Sequence, residues 1–180
     1  MWIWRMHLLS RLGELHYRHM GRRCFIVGTG PSLLKHPPEL LAKLSKEIAF
    51  GCSRIGQWQD RPFKLRYQVI TDWNQLEFVM RGEITIEECQ ERFLLSPQDI
   101  GLVGWTYIPC LPNHFYAANH GIGGLSPVWK ATNGRSSPFK AMQLALWMGC
   151  KSIYLLGCDT TLRGHVWNPE DRRNEHNPER

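Results

Sequence analysis

The sequence predicts an α/β domain: a Rossmann-like three-layer arrangement with a mostly parallel sheet between layers of helix, plus an N-terminal amphipathic helix. Three observations carry that expectation. Cys24-Phe25-Ile26-Val27 is a short apolar run that ends in a Gly28-Thr29-Gly30 turn. Two later apolar runs close on carboxylates, one at Asp72 and one at Cys158-Asp159. Between them, helical spacing alternates with strand-like runs, as βαβ units require.

Taken in order, Trp4, Leu8, Leu12 and Leu15 recur at helical spacing, with Arg11, Glu14 and Arg18 elsewhere on the wheel. Residues 1–22 are therefore expected to form an amphipathic helix that packs on the domain or on a second subunit of a homo-oligomer. The domain proper spans 23–167. Its first strand is 24–28, and the turn after it opens a helix whose free N–H groups can hold a phosphate. Pro37 to Leu44 reads as a short helix entered through prolines, where a missing N–H does no harm. Ile48 to Cys52 gives a second strand and Arg66 to Thr71 a third, ending at Asp72. Helical periodicity returns around 74–81 and 85–94.

Residues 95–135 are the least regular, with Pro97, Pro109, Pro112, Pro127 and a Gly121-Ile122-Gly123-Gly124 cluster. One or two short strands near 102–110 and a mobile flap over the site are expected there. Order returns at Ser136-Ser137-Pro138, a serine N-cap and a proline in the first turn. Ala141, Leu144, Ala145 and Met148 form the apolar face of this helix, and Gly149 stops it. Ser152 to Gly157 reads as a buried parallel strand that closes with Cys158-Asp159. The tail, 168–180, is nearly all polar and is expected to be disordered.

Composition narrows the partners. A chain of 180 residues, 43% hydrophobic and 21% charged, suits one globular domain with a real core. Six cysteines, at 24, 52, 89, 110, 150 and 158, form no C-x-x-C pair. They read as buried free thiols of a reducing, cytoplasmic compartment. The net charge of +6 is concentrated in Arg5, Arg11, Arg18, Arg22 and Arg23, opposed there only by Glu14. Such a run reads first as a solvated face. No RNA- or DNA-binding signature accompanies it, so nucleic acid is not the expected partner. No stretch approaches the ~20 apolar residues of a membrane span, and the first residues make a poor signal peptide.

Open α/β sheets bind ligands beyond the carboxyl ends of their strands, where strand order reverses. The expected nucleotide-binding set is Gly28, Thr29, Gly30, Pro31, Ser32, Ser53 and Ser136. Glycines at 28 and 30 remove Cβ atoms where a phosphate or ribose would approach the backbone. Asp72 and Asp159 should point into one crevice, where carboxylates can hold Mg2+, bond a ribose or orient a hydroxyl. His165, six residues past Asp159, can reach the site as general base or phosphate ligand. His114, Asn119, His120, Lys130 and Arg135 are further candidates, each with an ordinary surface role as the alternative. A dinucleotide site is disfavoured: Leu33 stands where a third glycine would be, and strand two ends in Cys52-Ser53-Arg54 without a carboxylate. The Walker lysine pattern is absent too.

The stretch Phe25-Ile26-Val27-Gly28-Thr29-Gly30-Pro31-Ser32-Leu33, the strand-ending Asp72, and the run from Ala141 to Asp159 together resemble the MptE-like family, named for archaeal 6-hydroxymethylpterin diphosphokinase. Related Rossmann-like domains occur in bacterial surface-polysaccharide and bacteriophage proteins. The same turn resembles the donor-nucleotide loop of bacterial sialyltransferases. The resemblance runs from about Cys24 to His165. It implies that Gly28, Gly30, Pro31 and Ser32 line nucleotide phosphates, that Asp72 and Asp159 floor the site, and that His165 matches a histidine common after the last aspartate. Strand two of these relatives usually ends near an asparagine; here Cys52-Ser53 stand there. The activity implied is transfer of diphosphate from ATP to a small-molecule hydroxyl, with Mg2+ on Asp72 or Asp159. The alternatives are a CMP-sugar-dependent glycosyltransferase with a glycan acceptor, and an inactive nucleotide-binding scaffold of bacteriophage type.

Overall fold

A computed structural model of the chain describes residues 13–71, 77, 79–82, 89–96, 104–109, 137–159, 164–166 and 168–169. Six strands form one sheet: β1 (Arg23–Val27), β2 (Ala49–Cys52), β3 (Tyr67–Ile70), β4 (Glu91–Ser96), β5 (Thr106–Pro109) and β6 (Ser152–Leu156). Their spatial order is β5-β4-β3-β2-β1-β6, and every pairing is parallel. The chain leaves β1 toward β2 and steps outward to β5. It then returns across the sheet to lay β6 on the other side of β1. The switch point of the fold is therefore the gap between the carboxyl ends of β1 and β6.

The alternation in β1 explains why it sits near the centre. Cys24 and Ile26 join the core on one face, with Phe50, Val69, Phe93, Ala141 and Leu144. Val27 joins the other, with Leu33, Leu41, Leu44, Ile55, Phe63 and Leu65. A strand buried on both faces must be apolar throughout its length, and this one is after Arg23. The second face is covered by a 3-10 helix (Pro31–Lys35), the short helix α1 (Pro38–Ala42) and its 3-10 continuation (Lys43–Lys46). The first face is covered by α2 (Ser137–Trp147), whose Ala141, Leu144 and Ala145 are fully buried. Truncating such a leucine costs about 2–5 kcal/mol. Gly149, left-handed at φ 82°, ends that helix as expected.

Two sequence expectations are corrected. Helical spacing over 85–94 is overridden by strand β4 at Glu91–Ser96. The consecutive Phe93, Leu94 and Leu95 are all buried, which a central strand achieves by using both faces. The buried strand expected at 152–157 is instead the edge strand β6, parallel to β1, with Tyr154 and Leu155 each 51% exposed. The turn after β1 opens a helix as expected, and that helix is 3-10.

Residues 13–15 are helical, and Leu15 is buried in the core; the rest of the expected N-terminal helix, residues 1–12, lies outside the described residues. Most of the irregular 95–135 segment and the tail lie outside them as well, although β5 falls within the 102–110 window. The segment after Leu15 straps the end of α2: the N–H groups of Tyr17 and His19 donate to the carbonyls of Trp147 and Met148. Five cysteines are described, all free; Cys24, Cys52 and Cys150 are buried. The neighbouring Cys150 thiol and, after it, burial hold Cys24 protonated, and burial does the same for Cys52. Cys110 lies outside the described residues. No helix among the described residues is long and apolar enough to cross a membrane.

Candidate functional site

Polar side chains gather at the carboxyl ends of β1, β2, β3 and β6 and at the start of α2. One cluster lies where the Gly28–Ser32 turn meets the end of β6. The N–H of Gly28 donates to Leu156 O at 2.8 Å, and that of Gly30 to Gly157 O at 2.8 Å. Asp159 then lies across the start of the 3-10 helix. Its Oδ2 accepts from the Ser32 N–H at 2.9 Å, and its Oδ1 accepts a hydrogen bond from the Ser32 hydroxyl.

This changes the meaning of the two glycines. A Cβ at Gly28 would collide with the Gly157 carbonyl, and one at Gly30 with the Asp159 carboxylate. The backbone approach that both positions permit is made by the chain itself, not by a ligand phosphate. The Ser32 N–H, expected to be free for an anion, is satisfied by Asp159. An acidic group at a helix start is favourable there, because it meets the positive end of the peptide dipoles.

His165 is brought to the same turn. Val166 is buried among Val27 and Leu33, and its N–H donates to Thr29 O at 2.8 Å, so the loop is clamped beside the first strand. The imidazole lies between Thr29 Oγ1, 3.1 Å from Nδ1, and Arg54 Nη2, 3.0 Å from Nε2. A guanidinium can only donate, so these partners assign the lone pair to Nε2 and the proton to Nδ1, which donates to Thr29. Arg54 was not among the expected site residues. The only signal for it was its place directly after the end of strand two.

The other wall is built of hydroxyls. Ser53 has φ 56°, a left-handed backbone that a serine rarely adopts. Along β2, Phe50 and Cys52 face α2, so the pleat alone would turn Ser53 to the opposite face. The left-handed backbone redirects it, and its Oγ bonds Ser137 Oγ at 2.8 Å. Thr71 Oγ1 meets the same Ser137 oxygen at 2.7 Å. Three contacts hold the strained residue: this one, its N–H to Val69 O at 3.0 Å, and Gln68 Nε2 to its carbonyl at 2.7 Å. Strain of this kind costs of order 1–3 kcal/mol and persists where the surroundings over-determine it.

The structure thus brings together Gly28, Thr29, Gly30, Pro31, Ser32, Ser53, Asp159 and His165. Asp72 and Ser136 lie outside the described residues, as do His114, Asn119, His120, Lys130 and Arg135. Sequence reading missed Arg54, Gln68, Thr71 and Ser137. No three His, Cys, Asp or Glu side chains cluster as a metal site among the described residues. In class, the arrangement is a parallel α/β sheet with polar side chains gathered at its switch point. Comparisons with protein-family models, with curated proteins and with solved structures return no match to this chain.

Proposed function

We propose that the protein is a nucleotide-dependent transferase that binds its donor in the crevice at the carboxyl ends of β1, β2 and β6. The leading chemistry is transfer of diphosphate from ATP to the hydroxyl of a small molecule. One observation carries the reading: a fixed carboxylate, an oriented neutral imidazole, an arginine and three hydroxyls converge where parallel sheets bind ligands. In the reaction, the substrate oxygen attacks the β-phosphorus and forms a new P–O bond. The bond from that phosphorus to the α–β bridging oxygen breaks, and AMP leaves with the electron pair. The substrate proton passes to His165 Nε2, once Arg54 has turned from it to the donor's phosphates. Such transfers depend on positioning and charge neutralisation more than on covalent help.

Asp159 suits Mg2+ in one respect. Each of its carboxylate oxygens keeps a lone pair beyond those given to Ser32, and Mg2+ is commonly held by one or two carboxylates, phosphates and water. When bound, the ion would neutralise charge on the phosphates. The His165 tautomer favours a second reading, a CMP-sugar-dependent glycosyltransferase in which Nε2 takes the proton of a glycan hydroxyl.

Thermal unfolding of the full chain with ATP, GTP, CTP and CMP, with and without Mg2+, tests both readings. Metal-dependent stabilisation by ATP is the expected result, and metal-independent stabilisation by CMP selects the second reading. If well-folded protein responds to none of them, both readings fail.

A further inference from the structure

A parallel sheet starts all its strands at one end, so residues that precede strands collect there however far apart they lie in sequence. In this chain that end is basic. Arg22 and Arg23 open β1, Lys46 precedes β2, Lys64 and Arg66 precede β3, and Lys151 precedes β6. All but Arg66 are exposed. The starts of β1 and β6 are joined directly, since the Lys151 N–H donates to the Arg22 carbonyl at 2.8 Å. The described carboxylates at strand starts are Glu47 and Glu91, and each is already paired, with Arg23 and Arg18 respectively.

The same end displays apolar groups on a fixed support. Residues 13–21 lie across it as a strap, with Glu14 its one carboxylate; Arg18 pairs with Glu91 of β4, and His19 bonds Tyr67 of β3. The N–H groups of Tyr17, His19 and Gly21 donate to the carbonyls of Trp147, Met148 and Gly149 at 3.1, 2.7 and 2.9 Å. Gly149 lets the strap close, because a Cβ there would lie 3.0 Å from the Met20 Cα. The strap nevertheless leaves Tyr17 55% and Met20 66% exposed.

Exposed cations around a tyrosine and a methionine suit a surface that is anionic above and apolar beneath, as lipid headgroups over acyl chains are. A nucleic acid would answer the charge and leave Met20 without a role. The twelve residues that lead into the strap agree in composition: Trp2, Ile3, Trp4 and Met6 occur there with Arg5 and Arg11, and with no carboxylate. Tryptophan and aliphatic residues beside arginine are the composition of membrane-interface segments.

We propose that the amino end of the sheet docks on an anionic lipid surface, with Tyr17 and Met20 entering the headgroup layer and Arg22, Lys46, Lys64 and Lys151 meeting lipid phosphates. The inference is independent of the transferase reading. It has one consequence for that reading. Strands of a parallel sheet end opposite their starts, so Asp159 and His165 face away from the lipid.

The test is sedimentation of the full chain with phosphatidylcholine vesicles, with and without phosphatidylglycerol, at low and high salt. Wild type should bind the phosphatidylglycerol vesicles and release them at high salt. Arg22→Glu with Lys151→Glu should weaken that binding about tenfold or more. Tyr17→Ser with Met20→Ser should weaken it severalfold. All four side chains are exposed, so both double variants should unfold near the wild-type temperature. Lys46→Glu with Lys64→Glu repeats the charge test on neighbouring strand starts, and Met20→Ser alone repeats the apolar test if the stack of Tyr17 on His16 proves structural. Lys35→Glu, a reversal on the 3-10 helix after β1, should bind as wild type. The proposal is overturned if wild type ignores the phosphatidylglycerol vesicles, binds phosphatidylcholine equally well, or keeps its affinity in either the charge or the apolar variants. Tighter binding of a single-stranded oligonucleotide through the same cations overturns it in favour of nucleic acid. If vesicles bind as expected while ATP and CMP leave thermal unfolding unchanged, the lipid contact stands and the transferase reading fails.

Discussion

The two ends of the sheet bury polar groups in opposite ways. At the amino end, Tyr67 and His19 are nearly inaccessible, yet both are satisfied: His19 Nε2 lies 2.7 Å from the Tyr67 hydroxyl. Arg18 pairs with Glu91 on β4. At the carboxyl end, Ser53 is held in a strained left-handed backbone, and its hydroxyl joins those of Ser137 and Thr71. One end spends its polar groups on relaxed structure. The other holds them on strained backbone, the kind of strain that clusters at functional sites.

That contrast can be broken at either end. The largest effect should come from His19. Burial first, then Arg66, Arg18 and Arg22, press its imidazole from 6.5 down to about 4. Between those values the unfolded chain binds a proton that the folded chain refuses. Stability is therefore whole above pH 6.5 and falls as the pH drops toward 4, by about 3 kcal/mol over the full window. Urea unfolding of wild type and His19→Gln at pH 7 and pH 5 should show the steeper loss in wild type, with ligand binding at neutral pH unaffected.

Gly30→Ala attacks the other end. Its methyl group would strike the Asp159 carboxylate, and overpacking of this kind costs about 1–3 kcal/mol. Here nucleotide binding should fall with stability, because the displaced group belongs to the site. Tyr67→Phe leaves the buried His19 Nε2 without its hydroxyl partner, at about 1–2 kcal/mol. It should leave the affinity for nucleotides as in wild type; a loss there would show that the two ends are coupled. The smallest effect sharpens the strain argument. Ser53→Gly relieves the left-handed backbone while Ser53→Ala retains it, so the glycine variant should be the more stable by about 1 kcal/mol. Both lose the hydroxyl and should bind nucleotide more weakly than wild type.

Legibility in the sequence followed how local each signal was. β1, β2, β3 and α2 were readable because their apolar runs, punctuation and capping residues lie within a few positions of one another. β4 was misread because Ile86, Cys89 and Phe93 also fall three and four apart, so spacing alone could not separate helix from a fully buried strand. The depth of β6 was misread because an apolar run does not tell whether neighbours cover both its sides. Of the site, the residues in recognisable positions were found: the glycine turn, Asp159 and His165. Arg54 and Thr71 carry no motif.

By itself, the sequence determined that this chain folds as an α/β domain with a parallel sheet, with a glycine turn after the first strand and an aspartate after the last. Periodicity and turn residues act locally and survive as text. Only the tertiary structure decided what fills the space those glycines leave. Ser32 and Asp159 are separated by 127 positions, and their hydrogen bond exists only because β6 returns to lie beside β1. The same return sets Ser137, at the start of α2, against Ser53 and Thr71 beyond the ends of β2 and β3.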